Sequence, residues 1–395
     1  SGVYASENPY PEEQVLAAAE TIACGGWPSM GLHNATYIRF AQMHPELMPK
    51  VQDGRIGLVY SLPSAMNVRL PLSEVLLYSY EDFEGAFYLL SDLHRSFDVV
   101  IFGDVETYPH TPTLEELSKY EALILPNATS LTDSQVNLLL EYVSNGGILI
   151  SLGNQTGIWD ENGNPVSRPS FTSLFNGTLI NYGSGKIISI DNIAPDYLFA
   201  RLRWEPETEI YLQQFNNTLC SLLPPEITTN LNQRAMLIQY WNPSSQSMLF
   251  HIVNYNYDYI RDVAIDQTDV EFVFPLKSEL QGLDLDIKVF SPECPEGVEL
   301  SYTVEHDERI RVVIPRIHLW SILMVKPRTA SEDVVITSPT ELKDEDLVVN
   351  GNLMVYSELK LSNCTIRFMS SPLQPRKLYV ASGASLIIEG SLVTT

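Results

Sequence analysis

The sequence has no uninterrupted apolar stretch of about 18 residues, the length that a membrane-spanning helix requires. Basic residues are also few: 24 Lys and Arg face 49 Asp and Glu among 395 residues, which gives a formal net charge of −25. A chain this acidic repels nucleic-acid phosphates and anionic lipid headgroups, so neither is expected as a partner. Glycine-rich phosphate loops of the Gly-x-Gly-x-x-Gly or Walker type are missing, so no nucleotide cofactor is expected.

Cysteine is scarce as well, with four positions far apart in the sequence. None belongs to a Cys-x-x-Cys pair, and no two histidines stand four residues apart, so the sequence predicts no metal site and no cofactor. Cys220 and Cys294 fall in one predicted domain and are candidates for a disulfide, although the connectivity does not follow from the sequence. Cys24 lies in an apolar helix and is expected to be a buried free thiol.

Sequons for N-glycosylation, Asn-x-Ser/Thr, are frequent for a chain of this length. This frequency favours an exported glycoprotein in an extracellular or cell-surface location. The alternative is ordinary use of Asn and Thr in loops. The six candidate glycosylation sites are Asn34, Asn127, Asn154, Asn176, Asn216 and Asn363.

The middle of the chain, residues 54–203, alternates short apolar segments with amphipathic ones. The segments 99–102, 122–125 and 148–152 contain almost only aliphatic residues, which is typical of strands in a parallel sheet covered on both faces. This pattern predicts an α/β domain of the flavodoxin or amidotransferase type. Such sheets bind ligands beyond the carboxyl ends of their strands, where we would look for chemistry.

The pattern changes twice after this domain. Residues 204–330 contain short strands separated by Pro-, Gly- and Asn-rich turns and predict an antiparallel β-sandwich. In residues 331–395 the segment 347–355 is similar to the segment 378–388, at an offset of 31 residues from 347 to 378 or of 33 residues from 353 to 386, which predicts a solenoid of stacked coils. Two coils are too few for a stable rod, so we expect the natural polypeptide to continue or another chain to cover this end.

The order of motifs in the predicted α/β domain resembles a known family. In class I glutamine amidotransferases the nucleophilic Cys follows the third strand, and here Asn127 holds that place. Without a thiolate there is no nucleophile. The Pro126-Asn127 turn, the following helix and the glycine pair at 146–147 resemble the trimerisation domain of family 42 β-galactosidases. The resemblance therefore implies assembly rather than catalysis.

Flanking segments agree with this resemblance. Residues 1–53 predict a partial barrel remnant or packing arm, within which 14–32 look like the last unit of a glycosidase barrel. Residues 314–323 look like the closing strands of the sandwich at the end of glycosidases, and 331–395 resemble the start of a right-handed parallel β-helix. The acid and nucleophile of a retaining glycosidase, about 5–5.5 Å apart, belong to earlier barrel strands, which we do not find in this chain.

These observations predict a non-catalytic structural part of an exported, glycosylated surface protein that mediates oligomerisation. A glycoside hydrolase with its catalytic barrel upstream is the first alternative. A carbohydrate-binding module is the second, because Tyr255, Tyr257 and Tyr259 alternate with polar residues and predict a strand face on which a sugar stacks. Packing of these rings against neighbouring strands is the competing interpretation.

Overall fold

The computed structural model describes residues 11–28, 33–67, 81–104, 106, 108–258, 260–328, 334–344, 346–349, 353–368, 378–389 and 392–394. The chain divides into two compact units, which are described in turn. The first comprises Ser1–Asn242, Met248–Leu276 and Lys288–Met324, and the second comprises Pro243–Ser247, Lys277–Ile287 and Val325–Thr395. The architecture combines an α/β part with all-β parts, which confirms the predicted fold class at that level.

Helices lie in the amino-terminal part of the chain and alternate with strands after residue 55. Each is amphipathic or short. The helices are α1 (Pro11–Ala23), α2 (Ala35–Met43), α3 (Leu62–Met66), α4 (Glu81–Asp92), α5 (Leu114–Ser118), α6 (Asp133–Ser144), α7 (Pro169–Thr172), α8 (Ala194–Arg203) and α9 (Glu207–Leu222).

A six-stranded sheet forms the centre of the α/β part, in the order β3-β2-β4-β5-β7-β6. Its strands are parallel except β6, which pairs antiparallel with β7. Because order reverses between β2 and β4, the carboxyl ends of these two strands form the switch point of the sheet. The first strands of the chain are β1 (Val51–Gln52), β2 (Ile56–Ser61), β3 (Phe97–Phe102), β4 (Ala122–Pro126), β5 (Ile148–Leu152), β6 (Ile180–Tyr182) and β7 (Gly185–Ile190).

Local sequence explains these elements. Every residue of β4 is buried, as expected of a central strand covered on both faces. Thr132 and Gln135 form a capping box at the start of α6, in which each side chain bonds the other's backbone N–H. Helices α4 and α8 approach each other closely at Gly85. A β-carbon at this position would overlap the carbonyl of Ala194, so only glycine fits.

The remaining strands of the first unit form a six-stranded sheet, β1-β9-β10-β18-β14-β15, and a four-stranded antiparallel sheet, β16-β17-β13-β8, with a small pair β11-β12. Strand β10 is buried along its whole length. These strands are β8 (Thr228–Thr229), β9 (Ala235–Asn242), β10 (Ser247–Asn254), β11 (Tyr257–Asp258), β12 (Val263–Ala264), β13 (Gln267–Pro275), β14 (Leu285–Ser291), β15 (Cys294–Glu299), β16 (Tyr302–Val304), β17 (Arg309–Ile317) and β18 (Trp320–Pro327).

The amino-terminal helices α1 and α2 share a hydrophobic core with these strands. The ring of Trp320 on β18 lies 5.4 Å from Phe40 and 6.2 Å from Tyr37, centroid to centroid. The hydroxyl of Tyr240 on β9 donates to the carbonyl of Ala23 at 2.8 Å. Helices α1 and α2 are thus packed on the β-sheet rather than standing alone.

In the second unit, three parallel three-stranded sheets contain one strand from each of three successive turns of the chain. Leu353, Leu359 and Ile366 are among the buried residues of its core. The strands are β19 (Val334–Ile336), β20 (Thr340–Lys343), β21 (Asp346–Val349), β22 (Leu353–Val355), β23 (Glu358–Ser362), β24 (Thr365–Phe368), β25 (Leu378–Val380), β26 (Ser385–Glu389) and β27 (Leu392–Thr394).

The offset of 31 or 33 residues between the similar segments does not match the register in which the strands stack. Leu347 on β21 pairs with Ile366 on β24. Leu378 on β25 pairs instead with Leu353 on β22. The strands that begin the two similar segments, β21 and β25, therefore belong to different sheets. The similarity was misleading because the apolar strands within one coil resemble each other as much as the strands of successive coils do.

Candidate functional site

A cavity of about 320 Å³ lies within the first unit. It is bounded by α1, α4, α8, the start of β9 and the segment that carries β11. Aromatic rings and side chains of both charges line it, whereas the neighbouring cores are apolar. The polar and aromatic lining residues are Glu13, Glu20, Phe87, Tyr88, Ser91, Asp92, Arg201, Arg234, Tyr255 and Tyr257.

One wall of this cavity contains a buried ion pair. The carboxylate of Asp92, at the end of α4, accepts hydrogen bonds from Arg201 Nε at 2.6 Å and Nη2 at 3.1 Å. The hydroxyl of Tyr197 donates to the same carboxylate at 2.5 Å. Tyr197 and Arg201 stand one turn apart on α8, so a single helix face presents both donors. The side chain of Asp92 is only 3% exposed, and that of Arg201 is 14% exposed.

The surroundings of this ion pair keep the Arg201 guanidinium protonated. Burial lowers the pKa of Arg201, but hydrogen bonds and charge attraction from Asp92 outweigh burial and raise the pKa above its ordinary value. Burial and the charge of Asp92 raise the pKa of Tyr197, so its hydroxyl stays protonated and donates. The guanidinium carbon of Arg201 lies 4.0 Å from the ring centroid of Tyr88, within the cation–π range.

The tyrosines predicted to contact sugar have different surroundings. Tyr255 is half-buried, and its hydroxyl is hydrogen-bonded to the Glu20 carboxylate. Tyr257 is 5% exposed, and its hydroxyl donates to the Asp262 carboxylate. Because this ring is packed into the protein, it does not form an exposed face for a sugar. Tyr259 lies outside the described residues. Both described rings line the cavity, and contact with a sugar stays a prediction.

The carboxylate of Glu20 lies on the exposed side of α1. Burial of the carboxyl group raises its pKa, and the hydrogen bond from Tyr255 opposes this shift. Glu13, two helical turns earlier, is exposed and lines the same cavity. Because both side chains are exposed, we call the part of the lining that they form the mouth of the cavity, whereas the ion pair belongs to other helices, α4 and α8.

A second, smaller cavity of about 70 Å³ lies at the switch point of the α/β sheet. Asn127, directly after β4, has a positive φ of 42°, a region that costs most residues energy but that Asn tolerates. Its amide nitrogen donates to Asp82 Oδ2 at 3.1 Å, and Asn192 donates to Asp82 Oδ1 at 2.5 Å. Both carboxylate oxygens thus have partners from neighbouring turns.

Hydroxyl groups close the other side of this cleft. Ser61, at the end of β2, and Ser64 both donate to the carbonyl of Ser130, at 2.9 Å and 3.0 Å. Ser64 also accepts from the backbone N–H of Ser130 at 3.0 Å. The hydroxyls are therefore occupied in joining the two loops, as expected of a structural rather than a nucleophilic role.

The structure separates the predicted glycosylation sites by exposure. Asn154 and Asn176 are exposed and line one shallow cavity, and Asn363 is exposed in the second unit. Asn216 is half-buried on α9. Asn34 is 7% exposed, and the amide of Asn127 is hydrogen-bonded to Asp82, so we expect glycans less at these two positions than at the exposed ones. Modification itself stays a prediction at every site.

All four cysteines are free thiols, so the expected disulfide between Cys220 and Cys294 is not formed. The thiol of Cys220 instead lies 3.1 Å from Asn216 Oδ1 and 3.0 Å from Arg95 Nη2. Cys24 is a free thiol, as expected, but it is exposed rather than buried because α1 ends at Ala23, one residue before it.

Among the described residues, no group of three or more His, Cys, Asp or Glu side chains is arranged to hold a metal ion. Within the same part of the chain, no helix is long and apolar enough to cross a membrane.

No protein-family profile and no curated protein matches the sequence. Alpha-L-fucosidase isoenzyme 2 from Paenibacillus thiaminolyticus is similar in structure, with a TM-score of 0.55 and 13% identity over 82% of this chain and 59% of that chain. A β-galactosidase from Rahnella sp. R3 has a TM-score of 0.46 and 13% identity over 80% of this chain and 51% of its own. A β-galactosidase from Bacillus circulans sp. alkalophilus has a TM-score of 0.43 and 10% identity over 74% of this chain and 44% of its own.

The likeness to the fucosidase shows a glycoside-hydrolase-like fold, as the sequence resemblance implied, and at 13% identity it shows the fold alone. This chain spans 59% of the fucosidase and about half of each β-galactosidase. The shared fold therefore concerns only part of such enzymes.

Sequence analysis missed the residues that organise the cavity, namely Asp92, Tyr197 and Arg201. The i,i+4 spacing of Tyr197 and Arg201 was visible as a helix face, but no local pattern connects it with Asp92, which is 109 residues from Arg201. Gly85 is the nearest available signal, because a glycine within an amphipathic helix often marks a close helix contact.

Proposed function

We propose that this chain is a non-catalytic scaffold of an exported, glycosylated, glycoside-hydrolase-like surface protein, and that it joins copies of that protein. The observation that carries the proposal is the turn after β4. In amidotransferase-like enzymes this turn presents the nucleophile, whereas here Asn127 occupies it and is hydrogen-bonded to Asp82. A side-chain amide in this arrangement has no nucleophilic chemistry to offer.

Further features support the same proposal. The order of the α/β sheet agrees with a trimerisation domain of the family 42 type, and the stacked parallel sheets of the second unit agree with the first coils of a right-handed β-helix. The exposed sequons Asn154 and Asn176 agree with an extracellular or cell-surface location. A β-helix extending from such a scaffold would suit a surface assembly.

The edge of the α/β sheet offers a surface for assembly. Strand β3 pairs only with β2 among the described strands, and its side chains alternate between buried and exposed. Val99 and Ile101 are 44% and 41% exposed on its outer face. Unpaired edges with apolar side chains favour association with another chain.

Sedimentation equilibrium tests the assembly role. We expect the purified chain to form an oligomer and Ile101→Lys to shift it towards monomer. Val313→Lys is the matched control, because Val313 is 45% exposed on a strand with partners on both sides. A chain that is monomeric at every concentration would contradict the assembly role.

Hydrolysis of aryl galactosides and aryl fucosides tests the non-catalytic part of the proposal. We expect no activity from this chain above buffer. Activity that purifies with the chain and disappears in Asp82→Asn would instead favour the alternative of a hydrolase. A hydrolase whose catalytic carboxylates lie in a separate barrel segment remains compatible with a scaffold role for this part.

A further inference from the structure

We propose that the cavity bounded by α1, α4, α8 and β9 binds a neutral, hydroxyl-rich ring, namely a single sugar residue or the end of a glycan. This inference goes beyond the scaffold role and does not depend on it. It rests on the size of the cavity, on its aromatic walls and on the way its charged groups are already occupied.

Size and walls suit a six-membered ring. A volume of about 320 Å³ lies at the lower end of the range of about 300–1,000 Å³ that is typical of small-molecule sites. Tyr88 and Tyr255 are half-buried and line the cavity from α4 and from the segment after β10. A sugar ring carries apolar C–H faces, for which the face of an aromatic ring is a suitable partner.

The charged groups favour a neutral ligand over an anion. Two arginines line the cavity: Arg201 Nε and Nη2 bind Asp92, and the guanidinium carbon of Arg234 lies 3.0 Å from the ring centroid of Trp204. An anionic ligand would compete with Asp92 for Arg201 and would lie close to the exposed carboxylates of Glu13 and Glu20. Like charges at close range repel, so an anion would bind weakly.

Hydroxyl groups match the remaining polar atoms. The Glu13 and Glu20 carboxylates accept hydrogen bonds, and the phenol oxygen of Tyr255, whose proton is donated to Glu20, still has a lone pair that accepts one. A hydroxyl can do both at once, so adjacent sugar hydroxyls can bond to a carboxylate and a phenol together. Hydrogen bonds to charged acceptors are the stronger kind, which gives Glu20 a direct part in recognition.

Saturation-transfer NMR with isothermal titration calorimetry tests the proposal on the whole chain. The probes are the methyl glycosides of glucose, galactose, mannose and fucose, with lysine as a cationic probe for the acidic mouth. We expect at least one glycoside to bind with a dissociation constant of about 1 mM or tighter, and lysine to bind more weakly. Stronger binding of lysine than of every glycoside would overturn the proposal.

Three variants locate the binding. Ala17→Phe places a ring at an exposed α1 position that lines the cavity, and we expect it to weaken sugar binding at least 10-fold. Glu20→Gln keeps the shape and should weaken binding several-fold. Asn137→Phe, at an exposed position on α6, is the control and should bind as the unmodified chain does. Binding that Ala17→Phe leaves unchanged, with its circular dichroism also unchanged, would place the ligand elsewhere.

Failure of this inference is distinguishable from failure of the scaffold role. Sugar binding is measured on the cavity variants, whereas oligomerisation is measured on the β3 variant, and the two sets share no residue. An oligomer without sugar binding overturns only the cavity assignment.

Discussion

The switch-point cleft and the cavity beside α1 are both polar, but their carboxylates are occupied differently. In the cleft, Asp82 receives two amide hydrogen bonds across a space of about 70 Å³. In the cavity, Asp92 is neutralised in the wall while the acidic groups at the mouth face a space of about 320 Å³. Strand topology makes the cleft the usual ligand site, yet its side chains close it. Topology thus locates a candidate site, whereas the hydrogen bonds that its polar groups already make within the protein decide whether these groups are available to a ligand.

The largest expected effect concerns the wall of the cavity. Arg201→Met leaves the Asp92 carboxylate buried without its cation, and we expect a loss of about 3–5 kcal/mol in the free energy of unfolding. Urea denaturation at neutral pH measures this loss. Asp92→Asn combined with Arg201→Met should recover part of it, because the uncompensated charge is then removed.

Arg203→Met is the matched control for this prediction. Arg203 lies on the same helix, is 66% exposed and is 3.9 Å from Glu205. We expect its replacement to change the unfolding free energy by no more than about 0.5 kcal/mol. Equal losses from both variants would show that the buried pair does not hold the cavity wall.

Part of the loss of folding stability at acidic pH should come from His251, a buried residue of strand β10. Burial lowers the pKa of His251 to about 4, although its hydrogen bond to the Leu47 carbonyl opposes the shift. An unfolded histidine has a pKa of about 6.5, so the neutral folded form loses relative stability as pH falls from about 6.5 to about 4. This difference corresponds to about 3 kcal/mol.

His251→Gln retains a donor near the Leu47 carbonyl and removes the titration. Unfolding by urea at a series of pH values between 7 and 4 should therefore show a smaller decrease in stability for this variant. His306→Gln, at an exposed position, should leave the decrease unchanged. If both variants follow the unmodified chain, carboxylates alone account for acid unfolding.

A smaller effect is expected in the cleft. Asn127→Ala removes the hydrogen bond to Asp82 and places a β-carbon residue without a polar side chain at positive φ, which should cost about 1–2 kcal/mol. Asn127→Gly loses the same hydrogen bond but suits the backbone, so its loss should be smaller. Urea denaturation measures both. Equal losses would show that the backbone conformation contributes nothing.

The smallest expected effect on stability comes from glycans, and their positions test whether the cleft is closed. When the chain is secreted from a eukaryotic cell, peptide mass spectrometry should find glycans at Asn154 and Asn176 and none at Asn34 or Asn127. Enzymatic removal should shift the melting temperature little, because both sites are exposed. A glycan on Asn127 would require the cleft to open.

Much of the fold follows from local pattern. The fully apolar segments at 122–125 and 148–152 became central parallel strands, and Thr132 with Gln135 capped the helix between them. The Pro-, Gly- and Asn-rich region from residue 228 onwards became strands with antiparallel pairings, but residues 207–222 formed helix α9, where only strands were predicted. The offset between the similar coil segments did not give the strand register because short apolar strands carry too little information to choose among several similar partners.

The sequence by itself determined the strand and helix periods, the acidity and the presence of Asn127, rather than a thiol, after the strand at 122–125. Only the tertiary structure decided that Asp92 would meet Arg201, that Tyr257 would be buried and that α1 would bound a cavity. Periods depend on neighbours a few residues away, which the sequence displays directly. A contact across 109 residues depends on how helices pack, and here the close approach of α4 and α8 at Gly85 brings the buried carboxylate to its cation.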